Sequence, residues 1–471
     1  MSGRRQVSGV QARGRVGLPP VRQRPDLPVR AHLTVSGWLL LWVVRPSWLW
    51  RREIAAVLLL AGVGVLGWWW RGWTGALVLP DAVVTVAVWV PWSRRWLIAS
   101  WRRARLRRHW DRGCRFADLT TINDRIPRVR RDRQVPAGDR LLVRVPRGTT
   151  VGDLEDAAER IAATLRVREV RVARDGDRAD LAHVDIVRRD PFVNPADPAV
   201  SEAIPWPWRH AGRVSLRDPI PVAVDEMGDV VYLRLEGKNI LIGGEPEAGK
   251  SAALSLLLAA AALDPTARVW GWDAKRVELA LWRPILERIV YGDIGAAIGQ
   301  MEDLNAEMDG RYEHMEECGK RLFGPEDGPV ILAAVDEMRF YTASPDRRES
   351  KRFNALGIDQ TARGRAARIV GALATQKPSG DVVPTAWRDL IAYRWAMRCT
   401  TRDASDTILG AGMAAAGYDA SLIDVRARGV GLLYAEGELP RRVKSFYLAD
   451  DDIRAIVARG LELRRAGSAR A

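Results

Sequence analysis

The sequence predicts an α/β fold: a mostly parallel β-sheet with helices on both faces, preceded by a small α/β domain and an N-terminal apolar helical hairpin. Three observations support this prediction. From residue 214 onward, apolar runs of strand length alternate with helical segments, as in sheets joined by crossover helices. One such run, 239–242, leads into a glycine-rich loop and a helix. Another, 330–335, is apolar throughout and ends in Asp336 and Glu337.

The glycine-rich loop reads Gly244-Glu245-Pro246-Glu247-Ala248-Gly249-Lys250-Ser251 and fits the pattern G-x-x-x-x-G-K-[ST]. Its glycines allow backbone N–H groups to wrap a polyphosphate, and the helix that continues through Ala252 directs its positive end at the same oxygens. Lys250 is expected to reach the β- and γ-phosphates of ATP, and the Ser251 hydroxyl to ligate Mg²⁺. The alternative is a chance glycine-rich turn before a helix.

The two carboxylates that end the 330–335 strand supply the second part of a nucleotide site. Asp336 is expected to hold the Mg²⁺ shell through water. Glu337 is expected to orient and deprotonate the attacking water, so the pair predicts ATP hydrolysis rather than nucleotide binding alone.

Composition restricts the class of protein. A formal net charge of +15 and a pI near 10.3 favour a polyanionic partner, either nucleic acid or an anionic membrane face, although a high-GC genome also enriches arginine. Cys114, Cys318 and Cys399 are far apart and are expected to be reduced thiols. The five histidines do not cluster, which argues against a metal hydrolase or a histidine-based triad.

The N-terminal part predicts a disordered basic tail over 1–33 and a membrane anchor over 34–93. Within the anchor, 54–70 and 76–92 are long and apolar enough to suggest two transmembrane helices, with Asp81 expected near the outer end of the second helix. Arginines flank the pair, so the positive-inside tendency places both ends in the cytoplasm. The alternative is a buried helical hairpin of a soluble domain.

Between the anchor and the large domain, three segments are predicted. Residues 94–136 form an Arg-rich juxtamembrane segment that is expected to bind anionic lipid or nucleic acid; the alternative is a solvated linker helix. Residues 137–190 form a small α/β adaptor or oligomerisation domain with one helix over 150–165. Residues 191–213 form a proline-rich linker. The large domain then covers 214–450, and 451–471 is a C-terminal helix and tail.

Further motifs in the large domain resemble the FtsK/SpoIIIE family of membrane-tethered DNA translocases over roughly residues 214 to 450. They are Ala374-Thr375-Gln376-Lys377-Pro378-Ser379, Arg394-x-x-x-Arg398-x-x-x-Arg402, Ser405-Asp406-Thr407-Ile408-Leu409, Asp273-Ala274-Lys275 and Met308-x-x-Arg311-Tyr312.

The resemblance implies a RecA-like P-loop ATPase motor that acts as a homo-hexameric ring around double-stranded DNA. It implies a multi-pass protein of the cytoplasmic membrane with its motor in the cytoplasm. Gln376 would sense the γ-phosphate, and Arg394 or Arg398 would act as an arginine finger on the neighbouring subunit. Ordinary ion pairing is the alternative for both arginines.

Two departures from the family pattern shape the expected role. Glu247-Ala248 stands where the family has a small pair, which puts an extra carboxylate near the phosphates. The chain ends soon after the last predicted strand, without room for the winged-helix module of chromosome-segregating members, so it looks most like the conjugative-transfer members of actinomycetes. The alternatives are chromosome segregation, a protein-export ATPase of the type VII secretion class, and a membrane-anchored scaffold with a degenerate site. Candidate DNA contacts are Arg339, Arg347, Arg348 and Arg352.

Overall fold

A computed structural model describes residues 51–121, 123–193, 203–376 and 378–468 of the 471-residue chain. The chain divides into two units, Met1–Arg108 and His109–Ala471. Outside the described residues lie the predicted basic tail, the first part of the predicted anchor (34–50), Ile122, residues 194–202 of the predicted proline-rich linker, Lys377 and the last three residues.

The first unit contains a helical hairpin, α1 (Arg51–Arg71) and α2 (Trp73–Trp89), followed by the start of α3 (Pro91–Phe116). The two hairpin helices approach closely at two glycines, since a Cβ on Gly67 would lie 2.1 Å from the Gly75 carbonyl oxygen. Apolar side chains face outward, including Trp69, which is 90% exposed. Asp81 lies at the middle of the 17-residue α2, so the expectation that it sits near a helix end was wrong.

Among the described residues no single helix is both long and apolar enough to cross a membrane. Two consecutive segments, Trp73–Val86 and Pro91–Phe116, meet that criterion of length and composition together, but they are bent by 87° where they join.

In the second unit, a small domain is built on an antiparallel four-stranded sheet of order β1-β2-β4-β3. Helices α4 (Val151–Asp156) and α5 (Ala158–Leu165) replace the single predicted helix, which is interrupted at Ala157. The first of these helices begins where predicted, because the Thr150 side chain and Asp153 form a capping box there. The strands are β1 (Arg128–Val135), β2 (Gly138–Arg144), β3 (Glu169–Arg174) and β4 (Leu181–Val187).

The first strand of this sheet, Arg-Val-Arg-Arg-Asp-Arg-Gln-Val, lies in the segment predicted to be juxtamembrane. It is an exposed edge strand, so it carries charge on most positions while its backbone pairs with β2. The small domain therefore begins near Arg128, earlier than the predicted start at residue 137.

The large domain contains a ten-stranded sheet of order β6-β5-β14-β13-β12-β7-β11-β10-β8-β9. The strands β12-β7-β11-β10-β8-β9, taken as they lie in the sheet, pair in parallel. The remaining pairings are antiparallel. The strands are β5 (Ile220–Asp225), β6 (Val230–Leu233), β7 (Ile240–Gly243), β8 (Arg268–Asp273), β9 (Arg288–Tyr291), β10 (Ile331–Val335), β11 (Ile369–Thr375), β12 (Tyr393–Met397), β13 (Val430–Tyr434) and β14 (Arg441–Ser445).

Helices cover both faces of this sheet, which confirms the predicted α/β architecture. One apolar core includes α6 (Lys250–Leu263) and α12 (Asp450–Ser468), which meet where a Cβ on Gly460 would lie 2.3 Å from the Ala262 oxygen. The opposite core includes α7 (Ile294–Glu317), α8 (Met338–Thr342), α9 (Arg347–Ala367), α10 (Thr385–Arg388) and α11 (Arg402–Leu409).

Residues 203–213 of the predicted proline-rich linker pack on the large domain instead of standing free. Trp206 is 1% exposed, and its indole N–H donates to the Pro221 oxygen at 2.8 Å. A proline-rich segment forms few regular backbone hydrogen bonds, and burial of the Trp206 side chain stabilises this one instead.

Candidate nucleotide-binding and catalytic site

The glycine-rich loop joins the fully buried β7 to the N-terminus of α6, as its sequence predicts. The strands that flank β7 in the sheet, β11 and β12, run parallel to it, so residues following each of them reach the same edge. β10 lies beside β11 and is also parallel to it. Because the carboxyl ends of parallel strands meet at one edge, Asp336 after β10, Gln376 after β11 and Arg398 after β12 are all brought together there.

Neighbouring backbone holds the loop from two sides. A Cβ on Gly244 would lie 2.6 Å from the Met397 Cβ, and one on Gly249 would lie 2.7 Å from the Gly429 Cα. The Gly429 N–H donates to the Ala248 oxygen at 2.9 Å, and the Glu245 N–H donates to the Arg398 oxygen at 2.9 Å. The two glycines are therefore required by close packing as well as by backbone freedom.

Glu247 occupies a backbone conformation that favours glycine, with φ +62°. Its exposed carboxylate pairs with Arg428 at 3.1 Å, an ion pair that contributes little in water. The unusual residue at this place in the loop therefore adds both backbone strain and a negative charge.

Replacing Glu247 with glycine is expected to stabilise the protein by about 1 kcal/mol, because glycine adopts positive φ without strain. Glu247→Ala removes the same carboxylate and keeps a Cβ, so it serves as the matched control. Thermal unfolding should give a higher midpoint for the glycine variant alone, whereas ATP titration calorimetry should show tighter binding for both. Equal midpoints for the two variants would show that the strain is negligible.

Lys250 and Asp336 form a buried ion pair at the centre of the site. The Lys250 Nζ lies 2.7 Å from Asp336 Oδ1, and the two side chains are 3% and 0% exposed. Asp336 Oδ2 is buried and has no hydrogen-bond partner among the described residues. The carboxylate thus retains an unused acceptor beside the lysine that the loop pattern assigns to phosphate.

Glu337 is held by Thr375, the last residue of β11, and by the residue that follows it. Its Oε1 accepts a hydrogen bond from the Thr375 hydroxyl at 3.0 Å and from the Gln376 N–H at 3.3 Å, and Lys275 lies 3.9 Å from Oε2. The side chain of Glu337 is 9% exposed. Sequence reasoning assigned a role to Gln376 but overlooked Thr375; the signal was a polar residue closing the otherwise apolar β11.

The two candidate finger arginines lie in different places. Arg398 forms an ion pair with Glu245 of the loop in its own chain and is 18% exposed. Arg394 stacks on the Tyr434 ring, 4.1 Å from its centre, and lines a separate pocket of about 240 Å³ that also contains Asn239, at the start of β7. Burial lowers the pKa of Arg394. The structure therefore brings Arg398, and not Arg394, to the loop.

Other groups near the site are neutral or structural. Burial, together with the charges of Asp273 and Asp336, raises the pKa of the Tyr341 hydroxyl. Burial also raises the pKa of Cys399 to about 12, and all three cysteines are free. The Asp273 carboxylate accepts N–H bonds from Lys275 and Leu279, so it shapes the loop after β8.

The remaining predicted residues complete the loop and the first turn of α6. Pro246 is exposed, while Ser251 and Ala252 are half-buried at the start of the helix. No group of three or more His, Cys, Asp or Glu side chains in the described ranges has the arrangement of a metal cage.

Comparisons with known proteins identify relatives of the large domain. Residues 211–412 match the model of the FtsK/SpoIIIE family. The DNA translocase FtsK of Chlorobaculum tepidum is 26% identical over 192 residues, which cover 36% of this chain and 23% of that protein. The DNA translocase FtsK of Oceanobacillus iheyensis is 27% identical over 252 residues, covering 48% of this chain and 30% of that protein. The aligned stretches thus span less than a third of either translocase.

A solved structure of the pCW3 conjugation coupling protein TcpA, in its monomer form with ATPγS, has the same fold. The TM-score is 0.51 at 16% identity, and the match covers 76% of this chain and 99% of that one. Together with the phosphate loop and the Asp336-Glu337 strand, the family match identifies residues 211–412 as an ATPase domain of the FtsK/SpoIIIE family.

Proposed function

We propose that this chain is an ATP-driven translocase of double-stranded DNA. The observation that carries the proposal is the arrangement of Lys250, Asp336 and Glu337 at one sheet edge, within a domain of a family that includes DNA translocases. A degenerate scaffold would have no reason to keep a buried, paired lysine and a positioned glutamate at this place.

Each residue has a specific task in hydrolysis. Backbone N–H groups of the loop and Lys250 bind the phosphates of ATP, and Glu337 accepts the proton of the attacking water. Gln376 follows the strand whose end holds Glu337, which suits contact with the γ-phosphate.

The donor set also fits Mg²⁺. Asp336 has an unused buried oxygen, and Ser251 lies in the first helical turn after Lys250. When bound, the ion would neutralise charge that develops on the phosphate oxygens. Ser251 and Asp336 are the residues that would hold it.

We infer that the active unit is a homo-hexameric ring. Arg398 is the better candidate for an arginine finger because it lies beside the loop, but it would have to leave Glu245 to act on a neighbouring subunit. A finger supplied between subunits makes turnover per chain rise with protein concentration. Turnover per chain that is independent of concentration would argue against this assembly.

Exposed basic residues near the site support DNA as the substrate. Arg339, Arg347 and Arg348 are exposed and form no ion pair among the described residues, whereas Arg352 pairs with Glu302. Two of these arginines lie in the first turn of α9, where a positive charge is unfavourable for the helix. Contact with DNA phosphate would offset that cost.

We also propose that the hairpin of α1 and α2 tethers the protein to the cytoplasmic membrane, with the ATPase domain in the cytoplasm. Its outward-facing tryptophans and aliphatic residues support this, and Asp81 in the middle of α2 weighs against it. Retention in the membrane pellet after alkaline extraction would test the tether, and release into the supernatant would refute it.

A role in intercellular, conjugative DNA transfer is the finer proposal. The fold shared with a conjugation coupling protein is compatible with it, and chromosome segregation and type VII protein export are the alternatives.

The decisive experiment is ATP hydrolysis by the full chain in detergent, with and without linear duplex DNA, at two salt concentrations. We expect strong stimulation by DNA that declines with salt and disappears in Lys250→Ala, because phosphate contacts dominate DNA binding. Turnover that DNA does not change would favour protein export instead.

A further inference from the structure

The small domain contains an arginine-lined cleft of about 860 Å³ that is separate from the nucleotide site. Strand register explains how the arginines meet. Arg128 at the start of β1 pairs with Arg144 at the end of β2. Arg174 at the end of β3 pairs with β4, the strand that lies between β2 and β3. A bulge between Val129 and Arg131 inserts one additional arginine. The six arginines that line the cleft are Arg125, Arg128, Arg130, Arg144, Arg147 and Arg174.

Carboxylates neutralise only part of this charge. Asp180 lines the cleft and accepts from Arg144 at 2.8 Å, and it is shared with Arg178 outside the lining. Glu155 lies 3.4 Å from Arg174. The other four arginines form no ion pair within the described chain, so the cleft concentrates unneutralised positive charge.

The lining favours a phosphate backbone over a small nucleotide. Small-molecule sites are mostly apolar with a few polar groups, whereas six of the fifteen residues that line this cleft are arginines. None of the described residues that line it is an aromatic residue on which a base or a single strand could stack. Guanidinium groups match phosphate oxygens in paired hydrogen bonds.

The surroundings favour DNA over a lipid surface. Within 117–193, apart from the undescribed residue 122, no large hydrophobic side chain is strongly exposed, and Phe116, directly before this range, is 74% exposed. One exposed aromatic side chain gives this surface little to insert into a bilayer. The small domain is also tied to the large domain: Arg140 pairs with Asp229 at 2.6 Å, and Arg171 pairs with Glu226 at 2.5 Å.

We propose that this cleft binds the phosphate backbone of duplex DNA outside the ATPase domain. The proposal rests on the proposed function and adds a second DNA contact, carried by the small domain. The bound DNA would be held without base recognition, because phosphate contacts carry no sequence information.

The test compares Arg128→Gln/Arg130→Gln/Arg147→Gln with Arg160→Gln/Arg213→Gln/Arg283→Gln, which removes the same charge from exposed arginines elsewhere. Binding of a fluorescent linear duplex to the full chain is followed by anisotropy over a salt series. We expect the cleft variant to bind duplex DNA about 10-fold or more weakly than the control variant at moderate salt. The slope of the logarithm of the binding constant against the logarithm of the salt concentration should fall in magnitude by about 2 to 3. Hydrolysis without DNA and the thermal midpoint should match wild type.

Three outcomes would overturn the proposal, and they differ in what they imply for the proposed function and for the role of the cleft. If wild type binds duplex DNA and the cleft variant matches its control, the cleft is not a DNA site but the proposed function stands. If wild type neither binds duplex DNA nor responds to it, the proposed function fails as well. If the cleft variant keeps DNA binding but loses binding to phosphatidylglycerol vesicles, the cleft is a lipid surface.

Discussion

Replacing Glu337 with glutamine is expected to slow ATP hydrolysis by about 100- to 10,000-fold while ATP still binds. Glutamine keeps the size and one hydrogen-bonding oxygen of the side chain, so Thr375 retains its acceptor. It removes the base that takes the proton from water. Steady-state turnover and ATP titration calorimetry, measured on the same preparation, separate these two effects.

The matched control for this variant is Glu316→Gln, which alters an exposed glutamate on α7. Thr375→Val should lower kcat with little change in the KM for ATP, because it removes the donor that orients Glu337, and Thr375→Ser should recover activity. Near-normal turnover by Glu337→Gln would assign the base to another group. An equal loss in the valine and serine variants would give Thr375 a packing role only.

Replacing Lys250 with methionine is expected to destabilise the protein by about 3–5 kcal/mol, besides abolishing ATP binding, because it leaves the Asp336 carboxylate buried without its partner. Lys250→Met/Asp336→Leu removes both charges and should recover most of that stability, since an apolar pair of similar volume replaces a buried ion pair at little cost. ATP binding should stay lost in the double variant.

Denaturant unfolding followed by tryptophan fluorescence, without nucleotide, gives the free energy of coupling between the two residues through a double-mutant cycle. Asp336→Leu alone should also be unstable, because it leaves the Lys250 ammonium buried. Additive losses in the double variant would show that the two charges are not coupled in solution.

Sequence reasoning located the nucleotide site because local chemistry dictates it. A fully apolar strand, a glycine-rich loop and a helix follow one another in the chain, so their contacts are nearly independent of the rest of the fold. Asp336 and Glu337 were found for the same reason: they end a strand that is buried on both faces.

The features that sequence reasoning missed depend on partners distant in the chain. β1 is charged at most positions and becomes a strand only because β2 offers an edge to pair with. The Thr375 hydroxyl gains its role from Glu337, and Arg398 meets Glu245 only when β12 lies beside β7. No local pattern in the sequence indicates the pairing of β1 or the contact between Arg398 and Glu245, whereas Thr375 is marked only as a polar residue at the end of the apolar β11.

The close approach of Gly429 to the glycine-rich loop has a mechanical consequence. Gly429 directly precedes β13, and Leu432 on that strand is paired with Arg442 on β14. Arg442 in turn binds Asp190, at the end of the small domain, and Glu226, which also binds Arg171 of that domain. About 10 Å of strand separates Gly429 from Leu432, the residue that is paired with Arg442. These contacts connect the glycine-rich loop to the small domain through β13 and β14, so we expect ATP binding to change hydrogen exchange at Leu432 and Arg442.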